Sequence, residues 1–329
     1  MSKKILVSGV QATGKLHFGN YFGAMKQNID LGNNGDYESY IFVADYHALT
    51  TVKNGESLRN TTREIVAAYI ACGLDISKVN LFKQSDVQSH TELSSILSNV
   101  VTVPYLMRAH AFKDHEAKDK EVNVGLFNYP ILMAADILMY NADVVPVGSD
   151  QKQHIEFARD IAGFYNRGWN VEQFKLPKEY ILESVGTIPG TDGEKMSKSK
   201  GNVIPLFGTD EEVKKSVMGI VTDSERPEDK KDPDINNIYN IHKHFLNKDE
   251  DFLLRNRFIN ADEANPYGYA EAKTDLLATI MKWREGKYEK YLELLSDENK
   301  IKEILYKGAE NANLIAAKTM KEVRETVGF

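Results

Sequence analysis

Two stretches of this chain carry side chains whose types and spacing suit work on phosphate. Ser8 to Ala24, SGVQATGKLHFGNYFGA, follows the apolar run Ile5-Leu6-Val7. An apolar run that breaks into a glycine-rich turn and then into a helix-length segment reads as strand, loop and helix, the unit that opens many nucleotide-binding α/β domains. Gly9, Gly14, Gly19 and Gly23 are expected to let the backbone come close to a ligand. The second stretch is Glu194 to Asn202, EKMSKSKGN, preceded by Pro189-Gly190-Thr191-Asp192-Gly193. It sets Lys195 and Lys198 three residues apart, with hydroxyls at Ser197 and Ser199. A mobile, glycine-flanked loop of this kind can close over a pyrophosphate leaving group and neutralise the charge that builds there. The plain alternative is a solvated basic loop.

Two readings compete for the first stretch. Gly9 to Lys15 fits G-x-x-x-x-G-K, and Tyr40-Ile41-Phe42-Val43-Ala44-Asp45 passes for the accompanying strand with a magnesium-binding aspartate. The next residue is Leu16, however, where a P-loop needs a hydroxyl to ligate the metal. The other reading is His17-Phe18-Gly19-Asn20, which resembles the HIGH signature of class I aminoacyl-tRNA synthetases. A lone match of four residues is weak. KMSKS, present without a mismatch, decides the matter, because a P-loop enzyme has no use for it.

The chain has 329 residues, 42% hydrophobic and 27% charged, which suits a globular protein of about two domains. No apolar run approaches the roughly 18 residues of a membrane helix, and Met1-Ser2-Lys3-Lys4 leads straight into a strand, so a cytoplasmic protein with no membrane partner is expected. Cys72 is the single cysteine, which excludes disulfides, four-cysteine zinc sites and iron–sulfur clusters within one chain. A net charge of −7 disfavours non-specific nucleic-acid binding; no DNA partner is expected, and an RNA would have to be held by a local basic patch.

Further elements must position these loops. Strands are expected at Tyr37–Val43, Val79–Phe82 and Val144–Val147, alternating with helices near 57–72, 91–103 and 152–165, which argues for a doubly wound parallel sheet. The polar run from Met107 to Lys120 should form part of a site rim, where Lys113 can reach a phosphate. Asp136 stands in YPILMAADILMY, a helix expected to start at Pro130 and apolar on nearly every face. A carboxylate there is costly unless paired. It is either a structural ion pair or the one acceptor in an aromatic-sized pocket that Tyr129, Met133 and Tyr140 complete. After the strand at 144–147 come Gly148-Ser149-Asp150-Gln151. Asp150 suits a ribose diol, the N-cap of the next helix, or both. Beyond Asn202 the pattern is helical, with a capping box at Thr209–Glu212, a polar linker from Thr222 to Asp234, and plausible breaks at Gly286 and Gly308. Interspersed glutamates make a solvated face the simpler account of the C-terminal lysines and arginines.

With both signatures and YPILMAADILMYNADVVPVGSDQKQH in view, the chain resembles the bacterial-type tryptophanyl-tRNA synthetase family from Ser8 to at least Ser224, and more loosely to Phe329. The resemblance implies an α/β fold with a Rossmann-type catalytic domain, residues 1–205, and a C-terminal all-helical domain, residues 206–329, that reads the anticodon and whose last helices can pack back on the first. It also implies a homodimer, ATP with Mg2+ and no metal ligand from protein side chains. The partners are L-tryptophan and tRNA(Trp). By the same resemblance Gln11, Ala12, Thr13, His17, Gly19 and Asn20 match ATP-binding positions, Gly148, Ser149 and Asp150 the ribose and adenine contacts, Ile188 a backbone contact to adenine, and Lys195, Met196, Ser197, Lys198 and Ser199 the phosphate loop. Lys195, Lys198, His17, Asn20 and Lys113 are the expected catalytic side chains. Asp136 matches the acceptor for the indole N–H, and Ser8, His47, Tyr129, Met133 and Gln151 the remainder of the tryptophan pocket. Ala12, His17, Ser149 and Lys200-Gly201 depart from the usual residues of the family. The rivals are a tyrosyl-tRNA synthetase, whose site would have to donate to as well as accept from a phenol, and an idle paralogue that binds tryptophan or RNA, against which the intact KMSKS speaks.

Overall fold

The computed structural model describes residues 3–116, 121–148, 152–180 and 188–329. Two compact units emerge, one drawn from residues 1–13, 27–182 and 294–329, the other from 14–26 and 183–293. The expected division at residue 205 is not where these units part. Each takes in chain from both sides of that point.

The first unit is built on a parallel sheet of strands β1 (Lys4–Gln11), β2 (Tyr37–Ala44), β3 (Val79–Lys83), β4 (Val144–Pro146) and β5 (Lys178–Tyr180), in the order β3-β2-β1-β4-β5. That is the expected Rossmann-type order, with its switch point between β1 and β4, and the carboxyl ends of the strands are where such sheets bind ligands. β2 is buried along six consecutive residues, as a strand covered on both faces must be. β1 runs to Gln11, further than the apolar run suggests, because Ser8 to Gln11 pair with Ile41 to Ala44 of β2. Gly9 therefore lies inside a strand, and the ring of Phe42 takes the space its side chain would need. No loop starts at Gly9, and the P-loop reading fails on geometry as well as on Leu16.

Helices cover the sheet. Gly55–Ala71 is capped by Asn54, whose side chain accepts the Ser57 N–H. The expected helix near 91–103 divides into Ser89–Leu97 and a single turn, Val103–Leu106, because Pro104 disfavours continued helix before it. Val124–Leu138 packs on both Ser89–Leu97 and Lys152–Trp169. It does not start at Pro130, which sits inside it; Asn123 is the N-cap, its side chain accepting the Leu126 N–H at 2.8 Å. Capping sets the start, and the helix accepts one missing amide at Pro130.

The 30-residue helix Glu298–Val327 completes this unit. Leu305, Ala309, Ala312, Ala316, Met320 and Val323 form its buried stripe, and it packs on β3. Gly308 is not a break. It lies mid-helix, where a Cβ would run into the backbone of Leu81. Glycine costs a helix interior about 1 kcal/mol, and here that cost is offset by close approach to the sheet.

The second unit contains the helices Asp210–Met218, Asn237–His242, Lys248–Ile259 and Tyr269–Arg284. The capping box at Thr209 and Glu212 forms as expected, with bonds of 2.8 and 3.2 Å. The segment Thr222–Asp234 is no simple linker. Lys231 is buried within it and donates to the carbonyls of Arg226 and Asp229, both at 2.7 Å, and of Pro227 at 3.3 Å. Arg284 also departs from a solvated face: it is 2% exposed and reaches Asp210 Oδ1 and the Gly208 carbonyl. Phe18 and Tyr21 pack edge-on against Trp283, and Phe18 and Phe22 against Phe245, which ties residues 14–26 to this unit.

Candidate active site

The second unit holds both nucleotide signatures. At Gly14 the backbone turns with φ +56°, a conformation that favours glycine. The aliphatic chain of Lys198 lies over this turn, 3.2 Å from where a Cβ would stand. His17 then forms an isolated bridge with Pro205, flanked by Phe18 N–H to Ile204 O at 3.1 Å and Leu206 N–H to Leu16 O at 3.0 Å. The stretch just after KMSKS is thereby stitched to the first signature. Asn20 is engaged locally, its Oδ1 accepting the His17 N–H at 3.2 Å.

His17 is 5% exposed. Burial, helped by the nearby Lys198 charge, holds its imidazole down at about 4, so it is neutral at physiological pH. Its buried Nδ1 has no hydrogen-bond partner among the described residues. Gly19 leaves this nitrogen room, since a Cβ there would sit 2.8 Å from it. A neutral ring with an unpaired, buried nitrogen suits a ligand oxygen or nitrogen. The orphan is a fit for the nucleotide expected here.

The KMSKS segment is one arm of a hairpin. Met196 N–H donates to the Ile188 carbonyl at 3.3 Å, Pro189 bridges Lys195, and Gly193 turns the chain with φ +87°. Asn202, which sequence reasoning did not single out, is the hub of this turn. Its Oδ1 accepts the Ser197 N–H at 2.8 Å, and its Nδ2 donates to Asp192 Oδ1 at 2.7 Å and the Lys195 carbonyl at 3.2 Å. Gly190 is glycine because a Cβ would collide with Asn202. Met196 is buried, whereas Lys195, Lys198 and Ser199 are exposed and Ser197 half-buried, so the loop is pinned by its apolar residue and presents its cations. Ser197 and Ser199 join hydroxyls at 3.0 Å.

Asp136 belongs to the first unit and is 1% exposed. It is not a lone acceptor in an apolar pocket. Oδ1 accepts from His90 Nδ1 at 2.5 Å and Gln84 Nε2 at 2.8 Å; Oδ2 accepts from His47 Nε2 and Gln84 Nε2, both at 2.9 Å. Burial works against its charge, yet the bonds from His47 and His90 hold the carboxyl down at about 2. Gln84 closes the β3 end, and its Oε1 accepts the Tyr46 N–H at 3.2 Å, which fixes the direction of its amide. His90 Nε2 meets the Tyr140 hydroxyl at 2.8 Å, and Tyr140 stacks on Tyr40 at 4.9 Å. Tyr140 thus belongs to the buried network rather than to a pocket wall. Of the expected partners the structure joins His47 to Asp136. Gln84 and His90 went unnoticed because nothing in their local sequence marks them.

Asp45 is engaged as well. It starts a short helix and accepts from Tyr46 N–H, Ser85 N–H and Ser85 Oγ. Tyr129 is half-buried, with its hydroxyl 2.8 Å from His154 Nε2, and burial pushes its phenol up to about 12. Met133 is half-buried on the helix of Asp136, and Ser8 is buried within β1. Gln11 ends β1 exposed, followed by buried Ala12 and half-buried Thr13. Lys113 is exposed on the helix His110–Glu116, whose first N–H is capped by Gln153 Oε1 at 3.0 Å. Gly148 follows β4, half-buried; Ser149, Asp150 and Gln151 lie outside the described residues.

Residues 2–283 match the family of tRNA synthetases class I (W and Y). The chain belongs to that family. Among class I synthetases it is 47% identical over 323 residues to the tryptophan--tRNA ligase of Fusobacterium nucleatum, covering 98% of this chain and 97% of that one. The structure is similar to that of the tryptophanyl-tRNA synthetase of Campylobacter jejuni complexed with ADP and tryptophan, with a TM-score of 0.89, 41% identity, and coverage of 98% and 99% of the two chains. A tyrosyl-tRNA synthetase of Archaeoglobus fulgidus complexed with L-tyrosine, at 20% identity and a TM-score of 0.66 over 88% of this chain and 90% of that one, shares the fold.

Proposed function

We propose that this class I synthetase is a tryptophan--tRNA ligase. A carboxylate oxygen of L-tryptophan attacks the α-phosphorus of ATP in line and pyrophosphate leaves, giving tryptophanyl-adenylate. The terminal ribose hydroxyl of tRNA(Trp) then attacks the acyl carbon, and AMP leaves. The observation that carries the reading is Asp136, an ionised, buried acceptor on a helix that also bears Tyr129 and Met133. An indole N–H can only donate and a carboxylate only accept. Full-length likeness to tryptophan--tRNA ligases supports the same choice.

The first step asks for positioning and charge stabilisation rather than covalent catalysis. Lys195 and Lys198 are assigned to the charge that develops on the leaving pyrophosphate, and Lys113 to a phosphate from the rim. His17, through its unpaired nitrogen, Gly19 and Asn20 are assigned to ATP, with Gln11, Ala12 and Thr13 at the end of β1. Gly148, Ser149, Asp150 and Ile188 take ribose and adenine. Ser8, His47, Tyr129, Met133 and Gln151 surround tryptophan. Mg2+ carried on the nucleotide would add positive charge at the phosphates; Lys195, Ser197, Lys198 and Ser199 would bind phosphate oxygens rather than the metal itself. The helices after residue 206 are assigned to the anticodon, and a homodimer working in the cytoplasm is the expected form. Among the described residues no helix is long and apolar enough to cross a membrane.

The test is ATP–pyrophosphate exchange with each standard amino acid. Tryptophan alone should support it; exchange driven by tyrosine instead would overturn the assignment.

A further inference from the structure

We infer that His90 is a positioning residue for tryptophan selection: clamped between Asp136 and Tyr140, it turns the Asp136 carboxylate so that Oδ2 is the oxygen offered to the substrate. This rests on the proposal that Asp136 accepts the indole N–H. His90 stands in the first turn of Ser89–Leu97, which packs on the helix of Asp136. Its side chain is fully buried, walled by the rings of Phe42, Phe82 and Tyr140 with centroids at 5.8, 6.4 and 5.6 Å.

The hydrogen bonds select one tautomer of the neutral ring. A carboxylate can only accept, so Nδ1 carries the proton that points at Oδ1, 2.5 Å away. Nε2 is then free to accept from the Tyr140 hydroxyl at 2.8 Å. Oδ1 is held by two buried donors, His90 and Gln84, and neither has a path to solvent. Oδ2 is held differently. It shares Gln84 and takes its other bond from His47, whose side chain is 13% exposed. Of the three donors around Asp136, only His47 borders accessible space. A donor arriving from outside reaches Oδ2 at the His47 edge, where it takes the place of the His47 bond, and the plane of the carboxylate it meets is set by the bond His90 makes behind it. His90 does not touch the substrate. It acts through the carboxylate, as an outer partner orients a ligand-binding group.

The test uses two substitutions that separate the two ring nitrogens. In His90→Asn the amide nitrogen falls near Nδ1 and can still donate to Asp136; in His90→Gln it falls near Nε2 and cannot. The probe is ATP–pyrophosphate exchange of the full chain with L-tryptophan and with β-(benzothiophen-3-yl)alanine, in which sulfur replaces the N–H. His90→Gln should lower the ratio of kcat/KM for tryptophan over the isostere by about tenfold, the scale of one charge-assisted hydrogen bond. The loss should lie in tryptophan alone, with KM for ATP unchanged, and His90→Asn should restore most of the ratio. If His90→Gln does not fold, Tyr140→Phe, which frees Nε2 and loosens the clamp, should lower the same ratio by about threefold.

A folded His90→Gln protein with the parental ratio would overturn the inference, as would equal losses towards both substrates or a His90→Asn protein no better than His90→Gln. A parent protein that discriminates the two substrates while the variants behave like it overturns the role of His90 alone. A parent that fails to exchange with tryptophan, or does not discriminate, overturns the reading of Asp136 as well.

Discussion

The sulfur of Met196 accepts the backbone N–H of Gly19 at 3.2 Å. One residue thereby joins the middle of the KMSKS loop to the middle of the first signature, 177 residues earlier. The lysines on either side stay exposed. The buried thioether thus anchors the loop whose lysines face outward.

Lys195→Ala and Lys198→Ala should each slow adenylate formation by about 10²–10³, the usual cost of one donor aimed at transition-state charge, with little change in tryptophan affinity. Single-turnover rates beside equilibrium binding give the comparison. An unchanged rate with weakened tryptophan binding would show that these lysines serve the ground state.

Asp136→Ala should lose much of the preference for tryptophan over phenylalanine, chiefly through kcat/KM for tryptophan, while KM for ATP stays nearly constant. A site built to hydrogen-bond a substrate group can reject the analogue lacking it by roughly 10⁴–10⁵, which sets the ceiling of the effect. The melting temperature will also fall, because Gln84, His47 and His90 lose their common acceptor. Stability therefore does not separate a structural from a selective role, and the tryptophan-to-phenylalanine ratio does. A folded variant with the parental ratio would leave Tyr129, Met133 and Gln151 to account for selection.

Stability should fall between pH 6.5 and pH 4. Burial holds His17 and His242 down at about 4 against an ordinary value of 6.5. As pH drops through this window the unfolded chain takes up protons that the folded one refuses, which favours unfolding. The contribution of Asp136 persists further and is lost only below its unfolded value, as pH approaches 2. Denaturant midpoints at pH 7, 5.5 and 4.5 should decline in the parent and decline less in His242→Gln. Equal slopes would remove His242 from the explanation.

Gly308→Ala should destabilise the fold by about 1–3 kcal/mol, the usual range for overpacking, although alanine is the better helix former by about 1 kcal/mol. Its Cβ would meet the backbone of Leu81, which cannot rotate away. A raised melting temperature would mean that the helix can lift from β3 at little cost.

Features set by neighbours in the chain were legible in the sequence. The capping box at Thr209 and Glu212, the strands at Tyr37 and Val79, and the glycine-flanked KMSKS turn each depend on residues a few positions apart, where periodicity and capping chemistry act directly. The parallel sheet followed from alternating strands and helices, and the family from two signatures in order. Of what surrounds Asp136, the family resemblance supplied His47, and nothing in the sequence supplied Gln84 or His90. Its donors stand 89, 52 and 46 residues away, brought in by the carboxyl ends of β2 and β3 and by a helix start that has no local signature. The same distance in sequence hid the place of Gly308, which looks like a helix break until Leu81 of β3 lies beneath it. It also hid the boundary of the units: Phe18 and Trp283 are 5.2 Å apart, so the first signature is compact with chain that follows residue 205. A side chain's type limits what it can bond to, but only folding decides which distant groups desolvate together: the bonds from His47 and His90 keep Asp136 ionised against its burial, whereas burial itself keeps His17 neutral.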